Sequence, residues 1–231
     1  MTNNNNHDND NNSSNNNNKS ESNSNNNINN GNHKHGINNN NKPHGHIFVI
    51  SAPSGAGKSS LVDALIKKDP NIQLSISHTT RKMRPNEIDG VNYFFINQAQ
   101  FKQMIDENQF IEYAEVYGNY YGTNIKTIQQ FLDNGRDIIL EIDHQGAMQI
   151  KNIFPDAVLI FIAPPSLATL EHRLRQRNTD DESIIQKRIV CANDDMSHQH
   201  KFDYVVINDN FNDAVDQLYS IILLNHVKVI T

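Results

Sequence analysis

The chain is poor in cysteine and lacks long apolar runs. Cys191 is the only cysteine among 231 residues, so no disulfide can form within the chain and a reducing compartment is expected. No apolar run approaches the roughly 18–20 residues that cross a bilayer. The amino terminus has no apolar signal core, and the absence of arginine before Arg81 argues against an arginine-rich transit peptide. We therefore expect a cytoplasmic protein that has no membrane partner.

Hydrophobic residues are also scarce, at 36% of the chain, and the deficit lies at one end. Half of residues 1–44 are asparagine, and Ile28 and Ile37 are the large aliphatic residues there. Such a segment buries too little apolar surface to offset the entropy of ordering. We predict a disordered tail over 1–44 and one folded domain over 45–231. Asn-rich tracts can also self-associate, which is a second interpretation of the tail.

The formal net charge of the chain is −6. Proteins that bind nucleic acids non-specifically rely on a basic surface. An acidic chain argues against a nucleic-acid partner. A local cluster of arginine and lysine can still bind a small polyanion within an acidic protein.

From His46 onward, apolar runs alternate with segments of helical spacing, which favours an α/β fold around a parallel sheet. Runs that are apolar on both faces are typical of central parallel strands covered by helices. A Tyr-, Phe- and Gly-rich segment over about 78–123 is read as a smaller β-containing insertion. The predicted strands are 46–51, 72–77, 137–143, 157–163 and 204–208, and the predicted helices are 61–68, 97–108, 124–134, 166–177, 181–196 and 211–226.

The segment "SAPSGAGKSS" (51–60) follows a predicted strand and precedes a predicted helix, the context of a phosphate-binding loop. Gly55 and Gly57 allow a tight turn that aims backbone N–H groups inward. The helix beginning near Lys58 adds the positive end of its dipole. The usual first glycine is replaced by Ala52, before the loop wraps, so we expect the methyl group to be tolerated if φ is negative there.

A second segment, "SHTTRKMRPNEIDGVNYFF" (77–95), places two arginines three residues apart, followed by an acid and a tyrosine. The guanidinium groups of Arg81 and Arg84, with the phenol of Tyr93, would make a receptor for a second phosphate. Two isolated arginines would more simply belong to a solvated, charged loop. The residues of this segment alone leave both interpretations open.

Taken together, "SAPSGAGKSS", "HTTRKMRPNEIDGVNYFF", "FIEYAEVYGNYYGT" and "EIDHQG" resemble guanylate kinase, in the order and at the spacing of that family. The resemblance extends from about residue 46 to the end of the chain. It implies a nucleoside monophosphate kinase fold with a phosphate-loop core, a five-stranded parallel sheet flanked by helices, a GMP-binding insertion over about 77–124, and a helical lid over about 165–190.

The resemblance also implies a GMP site. The phosphate of GMP would be held by Arg81, Arg84, Tyr93 and Tyr121, with Glu87 in the same set. Glu112 and Asp143 would face the guanine edge, with Ser77 and Thr123 near its O6. A carboxylate accepts hydrogen bonds from N1–H and N2–H₂ of guanine, whereas adenine would leave the same groups mispaired.

For ATP, the resemblance implies a donor site and a lid. Asn208, in "VINDNF", is a candidate for the adenine end. The lid arginines would stabilise the charge that spreads over the transferred phosphoryl group. The implied ATP-binding residues are Ser54, Gly55, Ala56, Gly57, Lys58, Ser59, Ser60 and Asn208, and the implied catalytic residues are Lys58, Arg81, Arg173, Arg177 and Arg188.

Mg²⁺ is the implied cofactor, with ATP as phosphoryl donor. Ser59 would supply a hydroxyl to the metal, and Glu141 stands where the family commonly carries aspartate. A carboxylate at the end of a buried strand can hold Mg²⁺ directly or through water. No general base is expected, because the attacking phosphate oxygen of GMP is already largely ionised near neutral pH.

The resemblance implies transfer of the γ-phosphoryl group of ATP to GMP, and to dGMP as a secondary substrate, in a monomer or weak homodimer. The alternative is a guanylate-kinase-like scaffold module that binds phosphorylated partners without catalysis. A kinase of another nucleoside monophosphate is a third candidate, against which the paired carboxylates Glu112 and Asp143 argue.

Overall fold

The computed structural model describes residues 45–116, 118–176 and 181–227. The predicted tail over 1–44 and the predicted lid residue Arg177 lie outside these ranges. The elements in chain order are β1 (Ile47–Ser51), α1 (Lys58–Lys68), β2 (Ile72–Leu74), β3 (His78–Thr79), β4 (Phe94–Phe95), α2 (Gln98–Asp106), β5 (Phe110–Val116), β6 (Asn119–Asn124), α3 (Ile125–Asp133), β7 (Asp137–Glu141), α4 (His144–Ile153), β8 (Val158–Ala163), α5 (Leu167–Gln176), α6 (Glu182–Ser197), β9 (Tyr204–Ile207) and α7 (Phe211–Val227).

Five strands form a parallel sheet in the order β2-β7-β1-β8-β9. Alternate residues of β1 point to opposite faces, because side chains alternate along a strand. Phe48 packs in a buried cluster with Leu61 of α1 and Leu218 of α7. Val49 packs in the cluster on the other face with Ile150 of α4. The predicted α/β fold with a five-stranded parallel sheet flanked by helices is confirmed.

A second sheet has the order β4-β3-β6-β5 and lies within the segment predicted as an insertion. In β5, alternate residues are buried, and this pattern places the charged Glu112 on the same inner face as Phe110 and Ala114. Gln149 of α4 joins this sheet to the core, since its side chain accepts from the backbone N–H of Tyr113 at 3.2 Å and donates to its carbonyl at 2.9 Å.

Most helices lie within one or two residues of their predicted bounds, but α4 was not predicted. Its sequence, HQGAMQIKNI, carries a glycine in the first turn and little apolar periodicity. The helix begins because Asp143 caps it, accepting from the N–H of Gly146 at 2.8 Å. None of the helices in the described residues is long and apolar enough to cross a membrane.

Candidate active site

The loop between β1 and α1 wraps tightly at two glycines. Gly55 has φ 98° and Gly57, which caps α1, has φ 94°. Both values lie in the left-handed region that side chains with a Cβ rarely adopt. Asn108 is the one non-glycine residue with positive φ in the described ranges. Ala52 therefore lies outside the left-handed region, and its methyl group packs against the core without strain.

Asn208, which follows β9, braces this loop. Its side-chain amide donates to the carbonyl of Ala56 at 2.7 Å, and a Cβ on Gly57 would lie 2.5 Å from the same amide nitrogen. The carbonyl of Asn208 in turn accepts from Nη2 of Arg173 at 2.9 Å. The other terminal nitrogen of Arg173, Nη1, is buried and has no hydrogen-bond partner among the described residues. A cationic donor of this kind suits an anionic ligand.

Lys58 and Ser59, at the start of α1, face the carboxyl end of β7. The strand before α1 is β1, which is the neighbour of β7 in the parallel sheet. The carboxyl ends of β1 and β7 therefore lie side by side. Nζ of Lys58 lies 3.4 Å from the carbonyl oxygen of Ile142, and Oγ of Ser59 donates to Oε2 of Glu141 at 3.1 Å. Oε1 of Glu141 is buried without a hydrogen-bond partner in the described part of the chain. A hydroxyl beside a carboxylate with a free oxygen is a donor set that fits Mg²⁺.

Glu112 projects from β5 into the floor of the cleft and is 3% exposed. Its Oε1 accepts from the hydroxyl of Thr123 at 2.5 Å, and Ser77 lies 3.4 Å from that hydroxyl. Burial raises the pKa of Glu112 to about 7, and the neighbouring charge of Asp143 acts in the same direction, against the hydrogen bond from Thr123. This carboxyl group therefore changes protonation state near neutral pH.

Arg81 is held in place by Glu87 through two hydrogen bonds, of 2.6 Å and 3.0 Å. Glu87 also accepts from the backbone N–H of Arg84 at 2.7 Å. Burial by itself would raise the pKa of Glu87, but these hydrogen bonds outweigh it and the pKa is lowered. The guanidinium of Arg81 lies 5.4 Å from the centre of the Tyr93 ring, and that ring is 5.9 Å from the ring of Tyr121.

The phenol of Tyr93 stays a hydrogen-bond donor over the ordinary pH range. Burial raises its pKa to about 12, and the charge of Glu141 adds to the effect. Two arginines and two phenols thus converge in the cleft that the glycine loop also lines. Such a set of cationic and hydroxyl donors suits a phosphate.

One cavity of about 430 Å³ joins these groups. It is lined by the glycine loop with Lys58 and also by Arg81, Tyr93 and Glu112 from the segment of the second sheet. A second cavity of about 370 Å³ begins at the other side of the glycine loop and is lined by Arg173, Asn208 and Phe211. The loop therefore separates two ligand-sized spaces, one of which has a buried carboxylate at its floor.

The sequence profile of the family described as "Guanylate kinase" matches residues 44–224. The chain belongs to the guanylate kinase family. A curated guanylate kinase of Hydrogenovibrio crunogenus is 52% identical over 181 residues, covering 78% of this chain and 88% of the relative. A guanylate kinase of Rickettsia bellii is 49% identical, covering 81% of this chain and 98% of the relative. The crystal structure of guanylate kinase from Anaplasma phagocytophilum superposes with a TM-score of 0.66 at 32% identity, covering 79% of this chain and 87% of that one.

Most residues that the guanylate kinase motifs predict for the site line the larger cavity. Arg188 reaches it from α6, with Nη1 3.4 Å from Oγ of Ser54. Arg173 and Asn208 line the second cavity instead. The predicted residues brought together in the larger cavity are Ser54, Gly55, Gly57, Lys58, Ser59, Ser60, Ser77, Arg81, Arg84, Tyr93, Glu112, Tyr121, Glu141, Asp143 and Arg188.

Three predicted ligand-binding residues lie behind the cavity wall. Ala56 is buried and offers its carbonyl to Asn208. Thr123 is fully buried and donates to Glu112. Glu87 grips Arg81. In this structure each of the three contacts another site residue and none lines either of the two cavities.

Gly146, near the start of α4, lies against Glu112 of the candidate site, and the sequence did not single it out. A Cβ there would lie 2.5 Å from Oε2 of Glu112, so a side chain would collide with the buried carboxylate. A glycine inside the first turn of a helix is the signal that could have identified it, because glycine costs helix stability unless packing requires it.

Proposed function

We propose that the chain transfers the γ-phosphoryl group of ATP to GMP, giving ADP and GDP, with dGMP as a second acceptor. The observation that carries the proposal is the cavity itself. The glycine loop with Lys58 lines it, and so do Arg81, Tyr93 and the buried Glu112. A donor triphosphate and an acceptor phosphate can therefore meet in one cleft, as phosphoryl transfer requires.

Glu112 gives the acceptor site its preference for guanine. An ionised carboxylate accepts from the N1–H and N2–H₂ groups of guanine, and the hydroxyl of Ser77 can donate to O6. Adenine presents an acceptor at N1 and a donor at N6, so it would leave Glu112 and Ser77 without partners in a buried site. Buried polar groups that lose their partners cost about 1–3 kcal/mol each, which supports strong discrimination. Asp143 is the second carboxylate available to the guanine edge.

Arg81, Arg84, Tyr93 and Tyr121 would bind the phosphate of GMP. Glu87 then acts as a positioning residue, because its two hydrogen bonds fix the guanidinium plane of Arg81. Removing Glu87 would leave the charge of Arg81 in place and lose its orientation. We therefore place Glu87 in the GMP site as a support for Arg81.

The triphosphate would lie in the glycine loop, against backbone N–H groups and Lys58. Arg188 and Arg173 flank the loop from α6 and α5. Nη1 of Arg173, which has no hydrogen-bond partner in the described part of the chain, would receive an anionic oxygen. Preorganised cations of this kind stabilise the charge that develops on the transferred group. The attacking oxygen of GMP needs no general base, because it is already ionised. Arg177, which lies outside the described residues, stays a prediction.

Ser59 and Glu141 are the residues that would hold Mg²⁺, directly or through water. The ion supplies neutralisation of the phosphate oxygens when it is bound. Glu141 carries one more methylene than aspartate, and its buried Oε1 is available to a water ligand or to the ion.

A scaffold module that only binds phosphorylated partners is less well supported. Such a module needs an acceptor pocket but has no use for the donor loop. Here Gly57, Lys58 and Ser59 lie in the same cavity as the acceptor-side groups, and Arg173 and Arg188 flank them. The reducing cytoplasm, inferred from the single cysteine, and a monomer or weak homodimer remain predictions.

A coupled assay of ADP release with GMP, dGMP, AMP, UMP and CMP tests the function. We expect GMP to be used at least about 100-fold more efficiently than AMP, since the buried carboxylate rejects the wrong donor pattern. The dependence on Mg²⁺ is measured in the same assay. Equal use of all five nucleotides, or GMP binding without turnover, would contradict the proposal.

A further inference from the structure

A cluster of two histidines and one aspartate lies at the end of the main sheet away from the cleft. Asp137 is the first residue of β7, and His46 immediately precedes β1. His226 is in the last turn of α7. Because both parallel strands direct their carboxyl ends to the cleft, their amino ends place this cluster on the opposite edge. One ligand atom of each residue lies within 4.8 Å of the other two.

The three side chains are already oriented toward one another. Oδ1 of Asp137 accepts from the backbone N–H of His46 at 2.9 Å and lies 3.0 Å from Nδ1 of the same histidine. Oδ2 of Asp137 faces Nε2 of His226 in a short hydrogen bond. The centres of the two imidazole rings are 5.0 Å apart. The centre of the Phe48 ring lies 6.2 Å from that of His46 and 6.3 Å from that of His226. Asp137 is buried, whereas both histidines retain some solvent access.

We propose that His46, Asp137 and His226 form a zinc site. Two neutral imidazoles and one carboxylate are ligands that Zn²⁺ takes in proteins, with water in a fourth position. Bonds of about 2.0–2.1 Å at tetrahedral angles place ligand atoms roughly 3.3 Å apart, and Nδ1 of His46 is 3.0 Å from Oδ1 of Asp137. The backbone N–H of His46 would orient the ligating carboxylate, as outer hydrogen bonds do in metal sites.

The competing arrangement needs no metal. Each imidazole can donate a proton to one oxygen of Asp137, which satisfies all three side chains. Zinc bound to the same two ring nitrogens would require each of those protons to move to the other nitrogen of its imidazole. The two arrangements therefore differ by one zinc ion and can be told apart by zinc titration. The proposal is independent of the nucleotide chemistry in the cleft.

A metal at this position would cross-link the end of α7 to the amino ends of β1 and β7. The three ligands come from segments separated by about 90 positions in sequence. An ion that binds the folded chain and not the unfolded chain stabilises it by mass action. Zinc should therefore raise the melting temperature without changing the preference for GMP.

The experiment uses the full-length chain and ZnCl₂ at pH 7.5. Histidines of residues 1–44 offer additional imidazoles, so the background protein carries His7→Asn, His33→Asn, His35→Asn and His44→Asn. We expect one zinc per chain in competition with a chromogenic chelator. At free zinc about 100 times the Kd, we expect an increase in Tm of roughly 5–10 °C. Co²⁺ should give the visible absorption of a tetrahedral site.

Two variants separate the metal from the hydrogen bonds. In His226→Gln and His46→Gln the amide keeps an N–H donor for Asp137 but is a poor zinc ligand. We expect zinc affinity to fall by at least about tenfold in each, with Tm in the absence of metal close to that of the background protein.

A second group of possible ligands supplies the matched control. His198 lies 4.1 Å from the ring of His144, and its Nε2 is 3.9 Å from an exposed carboxylate oxygen of Asp194. His198→Gln should retain the zinc-dependent shift. The proposal is overturned if the background protein shows no stoichiometric zinc, or if His198→Gln loses the shift while His226→Gln keeps it.

Discussion

Lys58 is the cation that the glycine loop presents to the larger cavity. Its ammonium group lies near the carbonyl of Ile142 at 3.4 Å, which leaves donors for phosphate oxygens. We expect Lys58→Ala to lower kcat for GMP phosphorylation by about 100- to 1,000-fold, the effect of removing one preorganised donor. Lys67→Ala, on the exposed side of the same helix, is the matched control and should keep both kcat and Tm. A Lys58→Ala enzyme with near-normal kcat would refute this role.

Glu112 makes the affinity for GMP depend on pH. Only the ionised carboxylate accepts from the guanine N–H groups, and burial raises its pKa in the free protein to about 7. Lowering the pH from 8 to 6 should therefore raise KM for GMP by about tenfold. In Glu112→Gln we expect a higher KM that no longer changes over this range, whereas the exposed Glu107→Gln should behave as the unaltered enzyme. Parallel pH profiles for the two variants would contradict the assignment.

The same residue makes the free protein less stable as pH rises. The folded-state pKa of Glu112 is above the ordinary value of 4.5, so its contribution is fully present below about pH 4.5 and is lost as pH rises through 7. At pH 8 the buried charge is a cost that glutamine removes. We expect Glu112→Gln to unfold with a free energy higher by up to about 3 kcal/mol at pH 8, and to differ little at pH 4.5. Urea unfolding at the two pH values measures the free energy of unfolding of both proteins. An equal difference between Glu112→Gln and the unaltered protein at both pH values would contradict the prediction.

At the scale of elements, α4 is shaped by a contact that its own sequence does not reveal. Gly146 lowers the helix propensity of its first turn, yet the position has no room for a Cβ beside Glu112. In Gly146→Ala, the higher helix propensity of alanine should add about 1 kcal/mol to the free energy of unfolding. Displacement of the Glu112 carboxylate should lower that free energy by more. We expect a higher KM for GMP and a lower Tm. Asn152→Ala, at an exposed position of the same helix, supplies the comparison and should raise Tm slightly. A more stable Gly146→Ala enzyme with unchanged KM would show that Glu112 relaxes freely.

The strands illustrate which elements can be predicted from sequence. The run VLIFIA of β8 is buried at every residue, and this pattern is typical of a central parallel strand. The run 72–77 was predicted as one strand, but β2 ends at Leu74. Beyond it, Ser75 still donates to the carbonyl of Ile139, whereas the carbonyl of Ser77 accepts from Phe94 in the second sheet. Propensity cannot locate this change of partner, since it depends on residues about 20 and 60 positions away.

The residues of the candidate site also differ in how far the sequence predicts their roles. Lys58, Arg81 and Glu112, which the local motifs single out, line the larger cavity, because each lies beside a strand end or on a buried strand face. Glu87 was predicted to belong to the set that binds the GMP phosphate, and in the structure its carboxylate accepts two hydrogen bonds from Arg81. A contact of Glu87 with the ligand stays a prediction. Spacing along the chain could not separate these two roles, since a carboxylate six residues from an arginine can face either the arginine or a ligand.

At the scale of the whole molecule, the cleft draws its walls from distant parts of the chain. The main sheet supplies the glycine loop and Glu141, the second sheet supplies Glu112 and Tyr121, and α6 supplies Arg188. No single segment forms a binding surface by itself. The two nucleotides bound together should therefore limit the access of solvent and reagents to the cleft more than either nucleotide alone. This is expected of an enzyme that excludes water during phosphoryl transfer.

Cys191 offers a direct measure of that restriction. It is the single cysteine of the chain, and it lies half-buried on α6 at the wall of the larger cavity. We expect a thiol reagent such as Ellman's reagent to modify it severalfold more slowly when GMP and a non-hydrolysable ATP analogue are bound together. AMP in place of GMP should protect less, because Glu112 disfavours adenine. Cys191→Ser should release no chromophore, which confirms the site of reaction. A rate unaffected by saturating nucleotides would mean that α6 does not border the occupied cleft.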